Sequence, residues 1–341
     1  MKCGIVGLPN VGKSTFFNFI SNSKARSDNF PFSTIEPNYG YTIVPDNRLI
    51  KLKMLINSIK IIPSEIKIVD IAGLIQGSHE GNGLGNKFLS NIRETNVIIH
   101  IIRCFKDIKI IHVENNINPI RDKEIIDLEL QLKDLETIEN KINKLKKHQK
   151  LYVNRQDLLY TLNKIHLFLQ QGKNIRMFPF KQNEIDDIQD LHLLTLKPVI
   201  YVANANQHED DDLKYLQKVT EKEQAPFISL SLHEKKQYLY QSKINDLIKM
   251  VYKLFNLQCF FTIGKKEIRS WSIPNNWTTY QASSKIHTDL KKGFICAEVI
   301  HYNDFIKYKS ENKVKQVGKK LLVGKNYIIQ DGDIIKFIFN K

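Results

Sequence analysis

The sequence predicts an α/β fold in which a mainly parallel sheet carries an inserted helical hairpin and is followed by a smaller α+β domain. Three observations predict this arrangement. Strand-like apolar runs alternate with helical patterns between Cys3 and Leu230, as in doubly wound sheets. Two stretches with apolar residues at spacings of three and four interrupt that alternation. From about Leu257 the pattern changes to short strands separated by turns.

The first predicted strand, Cys3–Val6, leads into a segment that reads GLPNVGKS and fits the pattern Gly-x-x-x-x-Gly-Lys-Ser. A helical pattern follows at once, and this strand–loop–helix context is what a P-loop requires. In a P-loop, backbone N–H groups and the helix N-terminus bind phosphate oxygens. The chain is therefore predicted to be a P-loop NTPase, with Lys13 on the β- and γ-phosphates and acting in catalysis. The residues expected on the nucleotide here are Asn10, Val11, Gly12, Lys13, Ser14 and Thr15.

The sheet continues in five further strand-like runs. Ligands of parallel sheets bind at the carboxyl ends of the strands, which is where the P-loop lies. The runs are Tyr39–Val44, Ile66–Asp70, Val97–Arg103, Pro198–Ala203 and Pro226–Leu230.

The second of these runs ends in Asp70-Ile71-Ala72-Gly73, as a Walker-B aspartate should. Asp70 is expected to hold Mg²⁺ through water, beside the hydroxyl of Ser14, and the Gly73 N–H is expected near the γ-phosphate. Thr34 lies between the two motifs and is the candidate for a second hydroxyl ligand of Mg²⁺. Ras-type enzymes place a glutamine after this motif to orient the attacking water, but here the position is Leu74. Another group must therefore orient the water.

Residues 124–171 predict two helices joined by a basic polar stretch, with Gly172 ending the second helix. This pattern indicates an antiparallel hairpin inserted into the nucleotide domain at about residues 124–195. An ordinary core-facing stripe would give the same periodicity. The dense charge at the flanking positions favours a projecting arm that contacts a partner.

The C-terminal region predicts a separate α+β domain at residues 257–341, which leaves residues 1–256 for the nucleotide domain with its hairpin. A helical pattern covers Thr279–Lys291. Asp331-Gly332-Asp333 predicts a tight turn before the last strand. The predicted strands are Phe260–Ile263, Trp271–Ile273, Phe294–Val299, Tyr327–Ile329 and Ile334–Phe339.

The chain of 341 residues has a formal net charge of +15. Residues 257–341 hold fifteen Lys and Arg against seven Asp and Glu, a net charge of +8. This excess fits a nucleic-acid partner, or lysines added to tolerant surfaces by an AT-biased genome. The sequence has no apolar run long enough for a membrane span and no predicted signal peptide. Four scattered cysteines without metal-ligand spacing favour a reducing cytoplasm.

Several long strings resemble the YchF branch of the Obg-related P-loop proteins, nearly from end to end. They are GIVGLPNVGKSTFFN, NFPFSTIEPN, DIAGL, GLGNKFLSNIRE, RCF, IIHV and NLQCFFTIG. The C-terminal part resembles the TGS domain of that family, a β-grasp module. The resemblance implies a cytoplasmic, Mg²⁺-dependent NTPase that prefers ATP to GTP and associates with the ribosome and its RNA. We expect the chain to act as a monomer.

The resemblance also assigns roles to individual residues. It points to His112 as the group that positions the attacking water. In one register, Asn204 fits the Asn of the family's Asn-x-x-Glu, although the fourth position is Gln207. In the other register, which lies two residues later, Asn206 to Glu209 matches the whole pattern. Both registers remain open. The other residues expected around the base are Ala205, Ser229, Leu230 and Ser231.

Two further features qualify this assignment. The chain has no Asn-Lys-x-Asp, whose aspartate would accept from guanine, so guanine is disfavoured. Asn10 resembles the asparagine that helps bind K⁺ in K⁺-activated relatives, and a turn-forming role explains it equally well.

The sequence thus predicts an ATP-hydrolysing switch protein that acts at the ribosome in translation or stress. One alternative is a GTP-specific ribosome-assembly factor. The other is an RNA- or ribosome-binding module whose nucleotide is only structural, which Leu74 in place of glutamine favours.

Overall fold

The computed structural model describes residues 1–21, 37–71, 84–107, 109–147, 155–205, 211–232 and 237–340. The chain forms two compact units. The first unit is Met1–Thr42 with Lys67–Leu247, and the second unit is Ile43–Ile66 with Ile248–Lys341. The chain passes from the first unit to the second after Leu247, whereas the predicted boundary lies after residue 256. The segment Ile43–Ile66, predicted within the nucleotide domain, groups instead with the second unit.

Strands make up two sheets in the described residues. Their bounds are β1 Lys2–Val6, β2 Asn38–Ile43, β3 Lys60–Ile62, β4 Glu65–Asp70, β5 Val97–Arg103, β6 Val199–Asn204, β7 Phe227–Leu230, β8 Leu257–Ile263, β9 Glu267–Pro274, β10 Phe294–Ile300, β11 Leu321–Val323 and β12 Ile334–Phe339.

Helices flank these sheets and form the hairpin. Their bounds are α1 Lys13–Ile20, α2 Asn47–Ile56, α3 Leu84–Arg93, α4 Pro119–Lys147, α5 Arg155–Gln170, α6 Gln182–Ile188, α7 Asp211–Lys222, α8 Gln237–Leu254, α9 Thr279–Ile286, α10 Thr288–Lys292, α11 Tyr302–Tyr308 and α12 Glu311–Gln316. None of the helices within the described ranges is long and apolar enough to cross a membrane.

The first sheet has the strand order β2-β4-β1-β5-β6-β7. Strand β1 pairs in parallel with β4 and β5, and the pairs β5–β6 and β6–β7 are also parallel. Every residue of β5 and β6 is buried, as expected for strands covered on both faces. The predicted parallel α/β sheet is confirmed, and the carboxyl ends of β1, β4, β5 and β6 meet at one edge.

The hairpin consists of α4 and α5, whose apolar faces share one core. Helix α4 begins at Pro119, ahead of the predicted start at residue 124, because proline suits the first turn of a helix. It packs against β5 and α7 as well as α5, and its later turns supply the core shared with α5. The shared core contains Ile138, Ile142, Leu145, Leu162, Ile165, Leu169, Ile175, Ile188 and Leu193.

The second unit is an α+β fold with the strand order β11-β10-β12-β8-β9-β3. Strand β3 pairs in parallel with β9, which explains why the segment Ile43–Ile66 belongs to this unit. The helix predicted at Thr279–Lys291 is divided at His287, whose extended backbone ends α9 and whose ring caps α10. The strand predicted at Tyr327–Ile329 is wrong: its N–H groups bond to loop carbonyls, and Ile328 makes a single bridge to Thr278.

Candidate nucleotide site

The loop between β1 and α1 has the backbone that the P-loop motif requires. Gly7 has φ 155°, and a Cβ there would lie 2.5 Å from the carbonyl oxygen of Ile101. Gly12 has φ 100°, and a Cβ there would lie 2.7 Å from Nδ2 of Asn204. Gly12 precedes α1, and no described side chain caps the first N–H groups of that helix. These N–H groups and the helix dipole suit a phosphate.

Lys13 lies across this loop as its first helical residue. Its Nζ donates to the carbonyl oxygens of Gly7 (3.1 Å) and Leu8 (2.7 Å), and the side chain is buried. Burial lowers the pKa of Lys13 to about 8, and the nearby Asp70 carboxylate opposes this shift. A phosphate group would replace the two carbonyls and offer the ammonium a full counter-charge.

Ser14 and Asp70 meet at the place predicted for the metal. The Ser14 Oγ donates to Asp70 Oδ2 at 3.2 Å. Burial raises the pKa of Asp70, against the effects of Lys13, Ser14 and Asn38. Asp70 Oδ1 is buried and has no hydrogen-bond partner in the described part of the chain. A hydroxyl beside a carboxylate oxygen that lacks a donor suits a hard cation such as Mg²⁺, so the residues present fit this ion.

Asn204 ends β6 and joins two loops of the site. Its Nδ2 donates to the Val11 carbonyl at 2.9 Å, and its Oδ1 accepts from the Leu232 N–H at 3.2 Å. The side chain is buried. Asn204 therefore fixes the P-loop against the segment that follows β7. The alternative register, Asn206 to Glu209, lies outside the described residues.

The segment after β7 brings the remaining predicted base-pocket residues near Asn204. The Ala205 N–H donates to the Leu230 carbonyl at 2.8 Å, which holds the two strand ends together. The Ser229 carbonyl accepts from Lys243 Nζ at 2.9 Å. The buried Ser231 Oγ has no hydrogen-bond partner among the described residues, so it can bond to a base.

His112 lies in the loop between β5 and α4 and is buried. Its Nδ1 accepts from the Glu114 N–H at 3.1 Å, and its Nε2 lies 2.7 Å from Asp122 Oδ2. Because Nδ1 accepts, the ring proton is on Nε2 and is donated to Asp122. Both ring nitrogens are thus occupied, and neither is available to a water molecule in this conformation.

The P-loop and the His112 loop are linked through Asn10. Asn10 has φ 62°, and its Nδ2 donates to the carbonyl oxygen of Ile111 at 3.1 Å. The structure therefore gives Asn10 a turn-forming and loop-joining role. The predicted residues Thr34, Gly73 and Leu74 lie outside the described residues.

Comparisons with known proteins agree with this site. Residues 2–164 match the family model described as 50S ribosome-binding GTPase, and residues 257–340 match that of the YchF GTPase C-terminal region, described as a protein of unknown function. A Buchnera aphidicola protein named ribosome-binding ATPase YchF is 45% identical over 360 residues, which cover 99% of both chains. An Escherichia coli O157:H7 protein of the same name is 42% identical over 361 residues, again 99% of both chains. This chain belongs to the YchF family.

A solved member of the YchF family has the same fold. The Schizosaccharomyces pombe YchF GTPase superimposes with a TM-score of 0.82 at 34% identity, covering 99% of this chain and 97% of that one. The likeness extends over both units. It confirms the predicted fold class.

Arg103 is a residue of this YchF site that the sequence did not single out. It ends β5, is buried, and its guanidinium donates to the carbonyls of Phe105 (3.3 Å), Asp107 (3.1 Å) and Ile110 (3.1 Å). The guanidinium also lies 4.5 Å from the ring centroid of Phe105. It thereby fixes the start of the His112 loop. A charged residue at the end of a buried strand that is apolar apart from His100 was the signal for it.

Proposed function

We propose that this chain is a Mg²⁺-dependent ATPase that binds the ribosome and acts as a nucleotide-controlled switch. The observation that carries the proposal is the Lys13, Ser14 and Asp70 arrangement, with its partnerless buried carboxylate oxygen. The relatives named ribosome-binding ATPase YchF support the ribosome as the partner. The chain belongs with nucleoside-triphosphate hydrolases through its P-loop domain.

The phosphate end of the nucleotide is bound by the P-loop. Lys13 exchanges its two carbonyl partners for phosphate oxygens, and backbone N–H groups at the start of α1 bind the neighbouring oxygens. Ser14 and Thr34 would ligate Mg²⁺, and Asp70 would hold it through water. The bound ion supplies neutralising charge to the triphosphate. Gly73 would add its N–H near the γ-phosphate.

Hydrolysis requires a group that orients the attacking water. The side chain of Leu74 has no polar atom, so another residue must do this. We assign this role to His112. The imidazole must first give up one of its two present hydrogen bonds, to Asp122 or to the Glu114 N–H. A released ring nitrogen can accept a hydrogen bond from the attacking water and orient it.

The base is expected to be adenine. No Asn-Lys-x-Asp is available to accept from guanine N1–H and the 2-amino group. Ser231 Oγ offers a neutral donor and acceptor, which suits either base edge. Adenine is favoured because the acidic acceptor for guanine is missing.

The ribosome contact is assigned to the second unit and the helical arm. We propose that residues 257–341 form a TGS-type domain whose positive charge faces ribosomal RNA, and that the chain works as a monomer in the cytoplasm. The exposed lysines of α12 and the following turn support this assignment. Asn10 serves the loop geometry, and K⁺ is not part of this proposal.

Side-by-side calorimetry of Mg²⁺-ATP and Mg²⁺-GTP tests the nucleotide. We expect ATP to bind more tightly by tenfold or more, since an acid-to-guanine pairing is worth about 1–3 kcal/mol by analogy with base-reading contacts. Tighter GTP binding by tenfold or more would favour a GTP-specific assembly factor.

One observation favours a non-catalytic alternative. Both ring nitrogens of His112 already have hydrogen-bond partners, so no described side chain is left to orient the attacking water. This arrangement suits an RNA- or ribosome-binding module whose nucleotide is only structural. A single-turnover assay with wild type and Lys13→Ala distinguishes the two. Equal, background-level release of phosphate from both proteins would support the structural nucleotide.

A further inference from the structure

The segment around His112 has an inverted pattern of burial. His112 is 5% exposed, whereas its neighbours Ile111 and Val113 are 78% and 39% exposed. A segment normally buries its isoleucine and leaves a titratable side chain in water. The arrangement therefore keeps apolar surface in water while an imidazole is held inside.

Both ends of this segment are fixed. Before it, the Arg103 guanidinium donates to the Ile110 carbonyl at 3.1 Å. After it, Arg121 donates to the Asn116 carbonyl at 2.7 Å and also bonds the Asn116 side chain. The five residues 111–115 lie between these two anchors, and Asn115 has the left-handed φ of 59°. The anchors confine any rearrangement to this short segment.

The partner of His112 is itself held in place. Asp122 lies in the first turn of α4, is buried, and its Oδ1 accepts from Arg121 Nη2 at 2.9 Å. The next residue, Lys123, is buried between Asp127 (2.6 Å) and Glu223. Arg176 completes this ion network by bonding both acids. The start of α4 is therefore rigid, and separation of the pair requires His112 to move.

We propose that Asp122 is a positioning residue that holds His112 in a resting conformation, and that hydrolysis requires residues 111–115 to rearrange. In the rearranged state His112 leaves Asp122 and Ile111 becomes buried. The inference rests on the proposed function of His112. The rearrangement exchanges a hydrogen bond to a carboxylate for the burial of an isoleucine.

The P-loop is placed to bias this equilibrium. Asn10 donates to the Ile111 carbonyl, the first residue of the segment, at 3.1 Å. Nucleotide bound to the P-loop therefore acts on the segment through one hydrogen bond. A ligand shifts such an equilibrium when it favours one of the two states.

The first test removes the holding carboxylate. We expect Asp122→Ala to raise the single-turnover ATP hydrolysis rate of the isolated protein about three- to tenfold, with an ATP affinity no weaker than that of wild type, because nucleotide favours the rearranged state. Asp122→Asn, which keeps the size of the side chain, should raise it less and serves if the alanine variant fails to fold. Glu124→Gln, an exposed acid on the same helix, is the matched control and should leave the rate unchanged.

The second measurement follows the ring itself. In protein labelled with ¹⁵N-histidine, the His112 signals are identified by their loss in His112→Ala. We expect wild type to show a ring protonated at Nε2, and Asp122→Ala to show shifted ring-nitrogen signals. Unchanged ring signals in folded Asp122→Ala, or a hydrolysis rate at or below that of wild type, would overturn the proposal.

A third variant tests the burial of Ile111. Ile111→Ser should leave the melting temperature unchanged, because the side chain is exposed at rest, but should lower hydrolysis several-fold. Ile59→Ser, which alters another highly exposed isoleucine, should change neither value. An unchanged rate in Ile111→Ser would contradict the rearranged state. If His112→Ala hydrolyses ATP like wild type, the proposed function of His112 fails. The ring signals of wild type and Asp122→Ala still report, independently, whether Asp122 holds His112.

Discussion

At the scale of single residues, Lys13 shows how the site is prepared for a phosphate. Its ammonium is buried against two carbonyl oxygens, and burial lowers its pKa to about 8. A bound triphosphate adds negative charge beside it, which raises this pKa again. Nucleotide binding is therefore coupled to protonation of Lys13.

We predict that Mg²⁺-ATP binding takes up protons at alkaline pH. At pH 8.5 a group of pKa about 8 is roughly three-quarters deprotonated, so binding should take up roughly 0.7 proton, falling near zero at pH 7. Calorimetry in two buffers of different ionisation enthalpy measures this number.

Lys13→Ala should retain its fold but lose tight triphosphate binding. Unchanged ATP affinity in that variant would contradict the P-loop assignment.

The water-orienting role of His112 is tested by its removal. We predict that His112→Ala lowers the hydrolysis rate about 10- to 1,000-fold, within the range of general-base and positioning effects, with little change in ATP affinity. Single-turnover rates and calorimetry separate the two quantities. His166→Ala is the control, because that histidine lies in the arm and bonds Glu139. Equal rates for His112→Ala and wild type would assign the role to another group.

At the scale of elements, helix α4 joins the hairpin of α4 and α5, here called the arm, to the nucleotide site. Its first turn holds Asp122, and the buried Asp134 lies near the middle of the helix. The Asp134 carboxylate accepts from the N–H groups of Leu194 and Thr195 and from the Thr195 hydroxyl, each at 2.7 Å. This carboxylate therefore fastens the chain returning from the arm to α4, just before β6 begins.

We predict that Asp134→Ala destabilises the fold by about 2–4 kcal/mol at neutral pH, because three buried donors lose their acceptor. Burial raises the pKa of Asp134 to about 6, against the effect of these donors, so the removed group is charged at pH 7. Urea unfolding measures the loss. Asp187→Ala, an exposed acid on α6, should change stability by less than about 0.5 kcal/mol. A similarly small loss for Asp134→Ala would show that the arm is held by its apolar core alone.

At the scale of the whole molecule, the positive charge is unevenly distributed. Residues 257–341 hold a net charge of +8 out of +15. Of the four lysines before Gly324, Lys313, Lys315 and Lys319 are exposed, whereas Lys320 forms an ion pair with Glu298 at 2.9 Å. The three exposed lysines are the better candidates for contact with RNA.

We predict that ribosome association weakens steeply as salt rises, because each neutralised phosphate releases counterions. Co-sedimentation across a salt series should show a shallower slope after Lys313, Lys315 and Lys319 are changed to glutamine. The control changes three other exposed lysines of the same unit, Lys285, Lys291 and Lys292. An unaltered slope in the first variant would indicate that its lysines reflect genome composition.

The second unit shows where sequence patterns stop being sufficient. The strand pattern of Val97–Arg103 and Ile334–Phe339 predicted the bounds of β5 and β12, because runs of six or seven mostly apolar residues carry a strong local signal. Strands β3 and β11 have three residues each and give no such signal. Their strand conformation comes from pairing with β9 and β10, which are distant in sequence.

By itself the sequence determined the P-loop, the parallel sheet that carries it and the hairpin, because each depends on residues close together in the chain. Only the tertiary structure showed that Asp122 bonds the ring of His112 and that Arg103 bonds the carbonyl groups of the loop before it. It also showed that Asn204 bonds both Val11 and Leu232. These bonds depend on how a loop turns between two elements and on which donors meet inside it. A hydrogen bond is formed or lost within less than an ångström, a distance that periodicity along the chain does not specify.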